Sequence, residues 1–93
     1  MSIFDEIREI KSTGDLEAAW QKGFTALEQD YGNVFLQTSM FWVIYAALKK
    51  LVAPIKEREN KTPTTFEQKQ IDLWAARIVT IKLLLPNENI DFR

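Results

Sequence analysis

Apolar residues return every three or four positions along most of this chain, and the returns group into four segments, each predicting a helix. Over residues 3–12, Ile3, Phe4, Ile7 and Ile10 fall on one side, with Asp5, Glu6, Arg8, Glu9 and Lys11 on the other. The early acids and the late lysine suit the helix dipole, and Gly14 ends the segment. A second helix is predicted over 15–30. Leu16, Ala19, Trp20, Gly23, Phe24 and Leu27 form a single apolar face, and Asp15 either caps the first turn or sits just inside it as a favourable charge. Gly23 lies within that face and costs about 1 kcal/mol of helix propensity against alanine. Close approach of a neighbouring helix is the expected compensation. Tyr31-Gly32-Asn33 is the turn.

The third segment, 34–53, is apolar almost all round. One face reads Val34, Thr38, Phe41, Tyr45, Leu48 and Val52; a second reads Leu36, Met40, Ile44, Ala47 and Leu51; a third adds Phe35, Trp42 and Ala46. Such a helix is expected to be the most buried element. Pro54 stops or kinks it, although Lys56 to Lys61 can carry it a further turn or two. Residues 54–65 form a charged connector that Pro63 closes. A fourth helix runs over 65–85, opened by a capping box made either by Thr64 with Glu67 or by Thr65 with Gln68. Its predicted inner face is Ile71, Trp74, Ala75, Ile78, Val79 and Lys82. No sustained apolar–polar alternation competes, so the fold class is all-α, with four helices arranged as antiparallel hairpins. At 93 residues the chain makes one domain, taken as 1–86, followed by a tail, 87–93.

The segment Gly14-Asp15-Leu16-Glu17-Ala18-Ala19 through Ala26-Leu27-Glu28-Gln29-Asp30 resembles the second helix of a tetratricopeptide repeat. That family places a Gly-Asp turn, a small Ala and an Ala-Leu-Glu-x-Asp ending at these spacings. Phe41-Trp42-x-x-Tyr45 then occupies the Leu-Gly-x-x-Tyr slot of the following repeat. The match departs where Trp42 stands for the small Gly and where Phe24 falls one position late. The fourth helix carries no repeat signature. The resemblance covers roughly residues 3–51 and implies a helical-hairpin interaction module. Trp42-Val43-Ile44-Tyr45 and Leu48-Lys49-Lys50 also resemble short helical modules that precede larger domains in some prokaryotic defence proteins.

Composition narrows the chemistry. Cys and His are absent, which removes disulfides, Cys/His zinc sites, cysteine nucleophiles and Ser-His-Asp triads. The carboxylates Asp5, Glu6, Glu9, Glu17, Glu28 and Asp30 lie on polar helix faces, where a solvated role fits better than acid–base work. No cofactor and no catalytic residue are expected. Net charge is −1, which argues against nucleic acid as the partner. The charge is uneven: residues 1–33 carry three cations and seven anions, whereas residues 34–65 carry five cations and two anions. The acidic opening Met1-Ser2-Ile3-Phe4-Asp5-Glu6 lacks the apolar run of a signal peptide. The uncharged stretch 31–48 is short for a membrane span and includes Asn33, Gln37, Thr38 and Ser39. A cytoplasmic chain with no membrane contact is therefore expected.

Eleven aromatic residues are the most informative feature. Trp20, Phe24, Phe41, Tyr45 and Trp74 can share one core. The third helix has nothing polar to turn outward before Lys49, which leaves some of Phe35, Met40, Trp42 and Ile44 for the surface. The expected function is a non-catalytic protein–protein interaction module, a small adaptor or inhibitor. Its partner-binding residues are Phe35, Trp42, Lys49, Lys50, Lys56 and Arg58, with Trp42 as the hot spot. The alternative is a homo-oligomer that buries the third helix between subunits.

Overall fold

Each helix begins where a short polar side chain can take up free backbone amides. In the computed structural model, which describes residues 2–30 and 32–84, the Ser2 hydroxyl accepts from the Asp5 amide and opens α1, Ile3–Ser12. The Asp15 carboxylate accepts from the Ala18 amide at 3.0 Å and opens α2, Leu16–Gln29, so Asp15 is the cap. The Asn33 side chain accepts from the Leu36 amide at 3.1 Å and opens α3, Val34–Glu57. α4, Thr65–Leu84, is opened by a reciprocal capping box. Its Thr64 hydroxyl accepts from the Glu67 amide, and its Glu67 carboxylate accepts from the Thr64 amide. Between α1 and α2 the chain turns at Gly14, whose φ of 88° is a conformation other residues adopt only with strain. The four-helix, all-α class is as the sequence predicts, and no strand occurs among the described residues. The predicted end of the fourth helix at 85, the domain boundary at 86 and the tail 87–93 lie outside the described residues.

α3 continues through Pro54 to Glu57, so of the expected alternatives Pro54 does not stop the helix and a further turn follows it. A proline in a helix removes one backbone hydrogen bond. Here the following residue, Ile55, is buried and anchors the extra turn. α1 packs on α2 and α3, α2 packs on α3, and α3 packs on α4. No Cα of α4 comes within 8 Å of α1 or α2 among the described residues. The result is a slab of 43 × 33 × 17 Å with α3 as its shared element.

The core is built from Leu27, Met40, Val43, Ile44 and Ile81, all fully buried, with Ile7, Ala19, Trp20 and Trp74 around them. Gly23 fulfils its expected role: a Cβ there would fall 1.9 Å from Met40 Cε and 3.2 Å from Ile7 Cδ1. Two sequence expectations are corrected. The inner face of α4 is Trp74 and Ile81, flanked by Gln70, Ile71, Arg77 and Ile78, while Ala75 and Val79 are exposed. The helix is turned so that Arg77 lies inward, its guanidinium carbon 4.8 Å from the Trp20 ring centre and 4.4 Å from that of Trp74. Tyr45 does not join the core but is 57% exposed, because α1, α2 and α4 all pack on the opposite side of α3.

Candidate interaction surface

α3 is divided lengthwise. Leu36, Met40, Val43, Ile44 and Ala47 face the other helices, so Met40 and Ile44 are core residues and not surface candidates. On the solvent side stand Val34, Phe35, Trp42 and Tyr45, with Phe35 76% and Trp42 57% exposed. Phe35, Trp42, Lys49 and Lys56 recur at intervals of seven, and Thr38, Tyr45 and Val52 recur at the same interval three residues later. On a helix, that double spacing is one continuous seam. The Trp42 and Tyr45 rings meet edge to face, 5.9 Å between centres at 86°. They form a shallow apolar hollow with Thr38 and Phe41.

Of the six predicted partner-binding residues, Phe35, Trp42, Lys49 and Lys56 are thus brought onto one exposed stripe. Neither ammonium on it meets a carboxylate among the described residues. Lys50 lies off the stripe, its ammonium directed to the Gly14 carbonyl at 3.5 Å. Arg58 is engaged within the chain as well. Its guanidinium makes a two-pronged hydrogen bond to the Glu67 carboxylate and also donates to the Thr62 carbonyl. Val34, Thr38 and Tyr45 belong to the stripe and were not among the predicted site residues. The seven-residue recurrence was the signal that could have added Thr38 and Tyr45.

The Arg58–Glu67 pair fastens the α3–α4 connector. Hydrogen bonds from Arg58, reinforced by the Thr64 amide, hold the Glu67 carboxyl down from the ordinary 4.5 to about 2. A carboxyl depressed on folding contributes stability above its unfolded value, and that contribution is lost as pH falls through the folded value. Acid unfolding followed by circular dichroism is expected to show a loss of stability between pH 4.5 and about 2 that Glu67→Gln reduces. An identical acid profile in the variant would remove Glu67 from that role.

A second cleft opens between α2 and α4 over the floor of α3, lined by Leu16, Ala47, Leu51, Pro54, Phe66 and Trp74. Its charged rim is already engaged: Glu17 binds Arg77 through two hydrogen bonds of 2.8 Å, and Glu67 binds Arg58. The Arg77 hydrogen bonds hold the Glu17 carboxyl below its usual range against the opposing effect of partial burial. Among the described residues no group of three or more carboxylates converges to hold a metal ion. By length and composition α3 could cross a membrane, with a mean hydropathy of 1.2 over its most apolar window. Its Met40, Val43, Ile44 and Ala47 are instead occupied by the neighbouring helices. No family model matches the chain, and no curated protein or solved structure matches it.

Proposed function

We propose that this chain is a non-catalytic protein-interaction module that engages a helical segment along the outer stripe of α3. The observation that carries the reading is the alignment of Val34, Phe35, Trp42 and Tyr45 on one solvent-facing side, leading into Lys49 and Lys56. Exposed large aromatics on one rigid helix are the usual anchors of protein interfaces. A seam of seven-residue period suits another helix better than a small molecule. The cationic end favours a partner segment that is acidic where it meets Lys49 and Lys56. A cytoplasmic adaptor or inhibitor fits this surface. The tetratricopeptide-like reading of residues 3–51 is part of the proposal. It is supported by three successive helices and the Gly14–Asp15 turn. Trp42 faces solvent where that family has a small residue between paired helices.

Site-specific photo-crosslinking tests the surface. Trp42 replaced by benzoylphenylalanine is expected to give discrete adducts in cell extract, to another protein or to a second copy. The same replacement at the exposed Lys69 on α4 is expected to give none, and Phe35→Glu is expected to abolish the adducts from position 42. Equal labelling from position 69, or adducts that survive Phe35→Glu, would overturn the assignment.

A further inference from the structure

We propose that the helix received by the α3 stripe is α3 of a second copy of this chain, packed antiparallel about a two-fold axis passing between Trp42 and Tyr45. The inference rests on the interaction surface proposed above and names its occupant.

Three observations select this arrangement. The first is register. In an antiparallel pair, the two positions of a seven-residue seam face each other across the axis. Trp42 then meets Tyr45 of the other copy, Phe35 meets Val52, and Thr38 meets Lys49. Aromatic and apolar groups are matched, and the one cation in the central layers receives a hydroxyl acceptor. The second is charge. The stripe ends in Lys49 and Lys56, while the exposed Asp30 precedes α3 at its other end, where α2 hands over to α3. Reversing one copy brings the cationic end of each onto the acidic end of the other. A parallel pair would stack Lys49 on Lys49 and Lys56 on Lys56, which is repulsive. The third is area. Val34, Phe35, Trp42 and Tyr45 expose on the order of 500 Å² per copy, taking 150–250 Å² for a whole aromatic side chain. A standard interface needs roughly 800 Å² per partner, and Thr38, Phe41, Lys49 and Val52 flank the four anchors to make up the difference. Such an isologous pair closes on itself and leaves no free apolar stripe to propagate.

The chain has no cysteine of its own, so introduced thiols report orientation cleanly. Thr38→Cys and Lys49→Cys are each on the exposed stripe. When the two variants are mixed and treated with a short bis-maleimide, a covalent dimer is expected. Either variant alone is expected to stay uncrosslinked, because two copies of position 38 would be separated by about 16 Å along the axis at 1.5 Å per residue. Sedimentation is expected to give a doubled mass for the natural chain and a monomer of unchanged helix content for Trp42→Glu. Crosslinking of either variant alone would overturn the antiparallel register. A doubled mass that persists in Trp42→Glu and in Tyr45→Glu would place the dimer contact elsewhere. A natural chain that stays monomeric at tens of micromolar would overturn the self-pairing. The photo-adducts from position 42 would then decide separately whether the stripe takes a foreign helix.

Discussion

Trp74→Ala is expected to lower the stability of this protein by about 3–5 kcal/mol, the range for removing a buried tryptophan. The position concentrates what joins α4 to the rest of the slab. The backbone of α4 approaches α3 alone, so its connection to α2 is made by side chains. The Trp74 ring stands edge-on to Trp20 at 6.2 Å between centres. Arg77 lies over both indoles and reaches Glu17 on α2. Removing the indole opens a cavity and takes away one of the two rings that shield the guanidinium. A domain of this size is stable by roughly 5–14 kcal/mol in total, so the variant is expected to sit close to unfolding. Thermal denaturation reads this as a fall of roughly 12 °C or more, at 4–8 °C per kcal/mol. Arg77→Met keeps the apolar stem and removes the charge, and it is expected to cost less, about 1–2 kcal/mol. A loss below about 1 kcal/mol in Trp74→Ala would mean that α4 is held by other contacts.

Gly23 and Met40 should behave as one unit. Gly23→Ala improves helix propensity by about 1 kcal/mol. The added methyl nonetheless lands on the end of the Met40 side chain, which is fully buried, and overpacking of that kind costs about 1–3 kcal/mol. Met40→Ala alone leaves a cavity and is expected to cost about 2–5 kcal/mol. In the double variant the new methyl enters space that Met40 has vacated and keeps its propensity gain. The double variant is therefore expected to be more stable than the sum of the singles predicts, by about 1–2 kcal/mol. Urea denaturation of the four proteins measures the coupling. Strict additivity would show that Met40 swings aside without loss and that α2 and α3 are not locked at this crossing.

Much of this architecture could be read from spacing and capping residues, because all four helices open at a short polar side chain and leave a local trace. Asp15, Asn33 and the Thr64–Glu67 box mark helix starts within a residue. Leu36, Met40, Ile44 and Ala47 share one face by period, but the pattern alone leaves Met40 and Ile44 as surface candidates, and only the fold buries them. What spacing could not supply was rotation. α3 is apolar nearly all round, so its pattern does not say which side meets the other helices, and Tyr45 fits an inward face by period although it is exposed. α4 has the same ambiguity. Ala75 and Val79 fit an inner face by period, yet Arg77 displaced them by lying across two indoles, an arrangement between helices distant in sequence. The intramolecular pairing of Arg58 is hidden for a related reason. In sequence it is one of several cations in a polar connector, and only the folded turn brings Glu67 within its reach.

The placement of the three tryptophans has an optical consequence. Trp20 and Trp74 are 5% and 6% exposed and flank a guanidinium, whereas Trp42 is 57% exposed on the outer stripe. Red-edge emission and acrylamide quenching belong chiefly to Trp42, and the blue-shifted remainder reports the α2–α4 junction. The natural chain therefore carries two separable fluorescent signals without any label. One follows coverage of the stripe, and the other follows attachment of the last helix.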